Sequence, residues 1–459
     1  MSTNANIFKN VISSVFSKFS QSLLRVIQIP LLIYFLGVED LGRWTVLYTI
    51  PSWLTLANFG FGTVASNEIT MLVANNKVNK AIKVYTSTLF LLLIIFVVGS
   101  ILTSVIIQFV NWDSLLKSSS SHSRNSEFSN AVIFMSISVF LSFFYGLLGS
   151  AFRAKRKMHL QIYISTILPW LNLGAMLISL YFTKRFDYLS FSLLCSNIIY
   201  AIIYYTLSKK TFPKLVFSRK YIDSNLFKIL FKKGIAFQAM PLGNALNIQG
   251  SIIIIQLILG PAAVALFSTV RTLVNLVKQV IDIINQSTWS ELSYLIGAEN
   301  YTKASKIHVF GICVAIIMAI SGSIVLLFFG EFVYTLWTNN QINLPFVLLF
   351  IMVASVPLNA LWITSSVVLM SSNNHEKLAK TYIVVSLITF VLNLILTKTF
   401  GLTGSAFSMV IFEFLMVPFV IKNSIMVTKD NWSNFKLEAI KSFKIIPKFI
   451  LNKLNLGRI

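Results

Sequence analysis

Twelve stretches of the chain are apolar for long enough to cross a bilayer, and this constrains the fold more than any other feature. They run over 11–36, 41–66, 85–110, 131–152, 160–183, 187–208, 235–258, 262–288, 306–329, 342–371, 378–399 and 403–427. Each reaches the roughly 20 residues that a helix needs to cover about 30 Å of hydrocarbon. In lipid no water satisfies backbone N–H and C=O groups, so an apolar run of this length must close its hydrogen bonds within itself as a helix. Charged residues make up 12% of the 459 residues, about half the share of a soluble protein. The sequence therefore predicts an all-α polytopic membrane protein with twelve transmembrane helices.

The net charge of +23 would suit a nucleic-acid binder, but the positions of the cations exclude that reading. With the N-terminus inside, the inner segments hold 28 Lys and Arg and the outer loops 6. Such an imbalance orients a membrane protein, so both termini are expected in the cytoplasm, with the excess charge facing anionic lipid rather than DNA.

Two of the apolar helices carry polar stripes. Ser268, Arg271, Asn275, Lys278, Asp282 and Asn285 follow one another at alternating spacings of three and four, which places all of them on one helix face. Ser14, Lys18, Gln21, Arg25 and Gln28 do the same near the start of the chain. A charge at the bilayer centre costs roughly 3 kcal/mol or more, so each stripe must face protein or water. A common water-filled cavity lined by both would receive an anionic substrate. Lys278 and Asp282, one turn apart, can also neutralise each other as an ion pair. Arg25 and Arg271 have no acid within a turn and are the first candidates for binding an anion.

An internal repeat organises the chain. At an offset of 223, Gly37 meets Gly260, Leu41 meets Val264, Trp44 meets Phe267, Glu68 meets Glu291 and Leu72 meets Leu295. Lys80-Ala81-Ile82-Lys83 then meets Lys303-Ala304-Ser305-Lys306. The repeat predicts two six-helix lobes that enter the membrane in the same direction, parallel repeats around a central cavity. The expected organisation is an N-lobe over 1–208, a basic cytoplasmic linker over 209–234 lying on the membrane surface, a C-lobe over 235–427, and a basic amphipathic tail over 428–459 broken at Pro447. Pro30 is expected to kink the first span, and Gly60 and Gly62 to let another helix come close. The outer loop 111–130, with its run of serines at 118–121, reads as a solvated connection.

No Gly-x-x-x-x-Gly-Lys-Ser/Thr loop is present, so any work must come from an ion gradient, the membrane potential or the substrate's own gradient. His122, His159, His308 and His375 lack metal-ligand spacing and read as surface residues, and no cofactor or metal is expected. Cys195 and Cys313 fall inside spans and do not form a disulfide framework. Glu413 stands alone in an apolar span and is a candidate for proton or cation coupling; the competing reading is a protonated, hydrogen-bonded carboxyl. Asp282 and Glu68 are further coupling or ion-pair candidates, with Glu68 and Glu291 expected to cap or pair at span ends.

The motifs Leu36-Gly37-x-Glu39-x-x-Gly42-x-Trp44, Asn58-x-Gly60-x-Gly62, Arg271-Thr272-Leu273 and Trp289-Ser290-Glu291-Leu292-Ser293, together with the span pattern, resemble the polysaccharide repeat-unit (O-antigen) flippases of the multidrug/oligosaccharidyl-lipid/polysaccharide (MOP) exporter superfamily. The resemblance implies no enzyme but a transporter of the bacterial cytoplasmic membrane. It would move polyprenyl-diphosphate-linked oligosaccharide to the outer leaflet by alternating access, exchanging H⁺ or Na⁺, with a polysaccharide polymerase and a chain-length regulator as partners. In the related lipid II flippases, cavity arginines on the first and eighth helices matter, and Arg25 and Arg271 occupy those spans. Asn58 stands where members often carry Asp. The alternatives are a multidrug cation antiporter of the same fold, disfavoured by the cationic stripes, a membrane-embedded polymerase or glycosyltransferase, which would need a larger outer loop or an acidic motif, and a nontransporting scaffold.

Overall fold

A computed structural model describes residues 3–118, 124–223, 226–227, 231, 238–372 and 375–456. The serines at 119–121, His122 and much of the second half of the linker lie outside this set. The described chain is helical, as its unbroken apolar runs require. In order, the main helices are α1 (Thr3–Leu54), α2 (Phe61–Ala74), α3 (Val78–Gln108), α4 (Asn125–Leu148), α5 (Met158–Phe182), α6 (Phe186–Thr211), α7 (Ala239–Ile258), α8 (Pro261–Gly297), α9 (Tyr301–Trp337), α10 (Phe346–Ser371), α11 (His375–Val427) and α12 (Trp432–Leu456). Ten described helical stretches are long and apolar enough to cross a membrane.

Two of these stretches are twice the usual length, and glycine breaks both. In α1 the break is at Gly37 (φ 79°, ψ 174°) and in α11 at Gly401 (φ 62°, ψ −141°), backbone conformations open to little but glycine. Pro30 and Pro51 lie inside α1, and the region after Leu36 is one residue of junction at Gly37 rather than a turn. The stretch expected as one span over 41–66 is also interrupted. α1 ends at Leu54, a 3-10 turn covers Thr55–Asn58, and Phe59 and Gly60 adopt left-handed conformations before α2 begins. Gly62 meets the expectation of close packing: a Cβ there would stand 3.0 Å from the backbone nitrogen of Leu147. In α7 the helix widens to a π turn over Leu246–Gly250.

Contacts divide the chain into one unit of 1–245 with 259–265, and another of 246–258 with 266–459. The offset of 223 recurs in the backbone: positive φ occurs at Gly37 and Gly260, at Asn76 and Glu299, and at Lys117 and Asn340.

In the first unit, Phe61, Ala65, Tyr85, Phe140, Phe143 and Leu147 form the core between α2, α3 and α4. Phe212 and Leu215 of the linker are buried in that same core. Lys83 pairs with Asp223 at 2.8 Å, and Ser87 Oγ donates to the Tyr221 carbonyl at 3.2 Å. The described part of the linker is thus anchored against α3 by apolar burial and by these polar contacts. Phe227 and Phe231 close an apolar cavity of about 470 Å³ with Phe59, Phe61, Leu91 and Ile95, at the break between α1 and α2. Beyond Gly37, Arg43 is buried among Glu39 (2.9 Å), Asp40 (2.6 Å) and the Leu116 carbonyl (3.4 Å), and Arg124 bridges Asp40 to Glu127.

In the second unit, α12 packs on α9. Phe435 lies against the His308 ring, Ala439 accepts a contact from Cys313 Sγ at 3.7 Å, and Ser305 hydrogen-bonds Asp430. His308, expected at the surface, is buried under this helix. The tail also continues as helix past Pro447. Trp432, Leu437, Ile440, Phe443 and Ile445 stay exposed on it.

Candidate functional site

The cationic stripe of the first unit lies on the part of α1 before Gly37. A row of serines beside it does the packing: Thr166 Oγ1 donates to Ser17 Oγ at 2.8 Å and Trp170 Nε1 to Ser20 Oγ at 2.7 Å, fixing α1 against α5. Gln21 Nε2 donates to Ser17 Oγ at 3.2 Å, and Gln28 Nε2 reaches Met176 Sδ at 3.9 Å. Gln21 and Arg25 are exposed, and Lys18 is half-buried. Among the described residues, neither Lys18 nor Arg25 has a carboxylate partner.

The second stripe runs along α8. Arg271 is half-buried and stacks its guanidinium on Phe267, 5.8 Å from the ring centre, with no carboxylate beside it among the described residues. Asn275 is half-buried one turn on. Ser268 Oγ and both side-chain polar atoms of Asn285 are buried and find no hydrogen-bond partner among the described residues. A buried polar group left unpaired costs about 1–3 kcal/mol, so a run of them is disfavoured in a purely structural helix.

Lys278 departs from expectation. It forms a 2.9 Å ion pair with Glu413 of α11, where the local spacing suggested Asp282, and Asp282 itself is exposed. Glu413 therefore does not stand alone. Asn359 Nδ2 donates to its two oxygens at 3.1 and 3.0 Å, and Trp362 Nε1 donates to Oε2. Its contacts from α8 and α10 are all donors, and its two oxygens accept them. Asn359 and Trp362 were not legible as site residues, since each is a common helix residue in an apolar run. Glu68 and Glu291 lie within α2 and α8, away from any cap. No group of three His, Cys, Asp or Glu among the described residues is placed to hold a metal ion.

The ten long apolar helices define a multi-pass membrane protein, two of whose helices carry polar stripes. The chain belongs to the polysaccharide biosynthesis protein family, whose model matches residues 7–290. No curated protein matches it in sequence. Its fold is that of MOP superfamily transporters. An inward-facing multidrug resistance MATE family transporter of that superfamily aligns with a TM-score of 0.73 at 15% identity, over 91% of this chain and 95% of that one. The lipid II flippase MurJ in an inward closed conformation aligns with a TM-score of 0.69 at 14% identity, over 97% and 99%. A MOP superfamily transporter from Pyrococcus furiosus, described as having a binding pocket of reverse polarity, aligns at 0.66 with 16% identity, over 92% and 95%. These structural neighbours are transporters and a flippase, not enzymes.

Proposed function

We propose that the protein is a flippase that carries polyprenyl-diphosphate-linked oligosaccharide repeat units from the cytoplasmic to the outer leaflet of a bacterial cytoplasmic membrane. The observation that carries this reading is the pair of polar stripes, in which Arg25 and Arg271 present cations without a carboxylate partner among the described residues. A guanidinium offers paired donors that match phosphate geometry, and Lys18, Gln21, Gln28 and Asn275 add donors for phosphate or sugar oxygens. Moving a hydroxyl-rich head group through hydrocarbon costs roughly 2–7 kcal/mol for each unpaired polar group, a barrier that such a lining lowers. Membership of a polysaccharide biosynthesis family and a fold shared with the lipid II flippase MurJ support the choice of a lipid-linked sugar.

In this proposal each of the two glycine-broken helices counts as two passes, which brings ten helices to twelve spans in two six-helix lobes that move by alternating access. Glu413 is the coupling residue for H⁺ or Na⁺, ahead of Asp282 and Glu68, because its oxygens are held by donors inside the membrane region. A polymerase and a chain-length regulator would receive the product. A multidrug cation antiporter is disfavoured because the buried acid is already neutralised by Lys278.

The test is translocation of a lipid-linked oligosaccharide in proteoliposomes by wild type, Arg25→Ala and Arg271→Ala at matched insertion. Each variant is expected to lose at least about tenfold in rate, the equivalent of one charge-assisted contact at about 1.5–3 kcal/mol. Wild-type rates in both would sink the anion-binding reading.

A further inference from the structure

The stripe on α8 spaces Arg271, Asn275 and Lys278 along one face, and Lys278 is the one a carboxylate already holds. Glu413 reaches in from α11 and accepts from Lys278 Nζ on Oε1 at 2.9 Å. From α10, Asn359 donates to both oxygens, and Trp362 Nε1 donates to Oε2. Tyr382, earlier on α11, also faces the carboxylate and lies 6.0 Å from the Trp362 ring. Asp282 sits one turn beyond Lys278 and is exposed.

A carboxylate and a phosphate offer an ammonium the same thing, a small anion with oxygens to accept its protons. We propose that Glu413 is an internal stand-in for the anionic group of the transported lipid, holding Lys278 while the stripe is empty and releasing it to the ligand when Glu413 takes up a proton. This rests on the anionic-substrate reading above. The proton comes from water and settles on Oε1, the oxygen that Lys278 vacates. Oε2 keeps its donors from Trp362 and Asn359, so the neutral carboxyl stays seated. Lys278, on a flexible four-carbon stem, then turns along its own helix face toward Asn275 and Arg271, three and seven residues away. Without the proton, loss of Lys278 would leave a buried carboxylate uncompensated, which is why the two events are tied together.

The linkage has a definite sign. Protonation of Glu413 frees a cation for the ligand, and a ligand that captures Lys278 makes the proton more welcome on Glu413, so each raises the affinity of the other by the same factor. Lys278 becomes a third anion-binding cation that is available in one protonation state only.

The experiment measures binding of a polyprenyl diphosphate, with the uncharged polyprenol as control, to the full-length protein in nanodiscs between pH 6 and pH 9. Wild type, Glu413→Gln, the double variant Lys278→Gln/Glu413→Gln and Arg271→Ala are compared after each is shown to be monodisperse. Glu413→Gln mimics the protonated carboxyl at similar volume. It is expected to bind about tenfold more tightly than wild type at neutral pH, the effect of one added charge-assisted contact, and to lose the rise in affinity that wild type shows as pH falls. Any titration of the ligand itself appears in the variant as well, so the difference between the two profiles isolates Glu413. The double variant should lose the gain. Equal affinity and equal pH profiles in wild type and Glu413→Gln, with Arg271→Ala weakened, would make the pair a static strut and overturn this proposal alone. Failure of every form to prefer the diphosphate over the polyprenol would overturn the anionic-substrate reading and this proposal with it.

Discussion

Gly42 sits where two backbones touch. A methyl group built on it would overlap the Pro261 carbonyl oxygen and stand 2.5 Å from its carbon. The obstacle is backbone, with no side chain to turn aside, so Gly42→Ala must push the start of α8 away. Overpacking of this kind costs about 1–3 kcal/mol and more where nothing can give. Gly174, in the middle of α5, has open space around its would-be Cβ, and Ala there gains about 0.5–1 kcal/mol of helix propensity. In thermal unfolding in one detergent, Gly42→Ala is expected to lower the midpoint by several degrees and Gly174→Ala to leave it level or raised. Equal midpoints would show that α8 does not approach so closely. The site shows what single residues in a sequence reveal and withhold. The stripe spacing picked out Lys278 and Asp282, and isolation in an apolar span picked out Glu413, because charge stands out against hydrocarbon. It did not identify their pairing, since Glu413 is 135 positions from Lys278 and periodicity reports a face, not what comes to meet it. The local one-turn rule favoured Asp282, and tertiary approach won.

At the scale of elements, long apolar runs were readable because a bilayer leaves the backbone no alternative to helix. Their interruptions were less so. Gly37 and Gly401 fall in the gaps expected between spans, but there the helix is broken by a single residue's φ and not by a turn, while Pro169, Pro357 and Pro418 stay within their helices. The tail shows the same limit. Its amphipathic pattern was legible, but the face that docks on α9 through Phe435 and Ala439 reads no differently from the face left to lipid. That docking has a measurable consequence at Cys313, whose side chain is 1% exposed and whose Sγ lies against the Ala439 carbonyl. A thiol covered this way is slow to alkylate, as reactivity needs access as well as thiolate. With Cys195 replaced by Ser, wild-type Cys313 is expected to resist a membrane-permeant maleimide. A chain ending at Lys429 should label at least about tenfold faster, as opening that needs local undocking becomes unnecessary. Similar labelling rates in the two forms would mean that α12 does not cover α9 in the membrane.

At the scale of the whole molecule, the proposed cargo fixes how transport must respond to voltage. A diphosphate diester carries two negative charges, and each charge crossing 100 mV changes the free energy by about 2.3 kcal/mol. An inside-negative potential therefore favours outward movement of the cargo without any nucleotide hydrolysis, in agreement with the absence of a phosphate-cradling loop in the sequence. If the proton on Glu413 travels with the anion, one of the two charges is cancelled and the voltage dependence is halved. Proteoliposomes with a valinomycin-clamped potassium gradient separate the cases. Wild type is expected to shift the steady-state distribution of a polyprenyl-diphosphate sugar by a factor corresponding to one charge, about fiftyfold per 100 mV. Glu413→Gln, which cannot exchange the proton, is expected to shift it by a factor corresponding to two charges if it still transports. A distribution indifferent to voltage in both would mean that the moving species is neutral, so that one counter-charge accompanies every negative charge of the cargo.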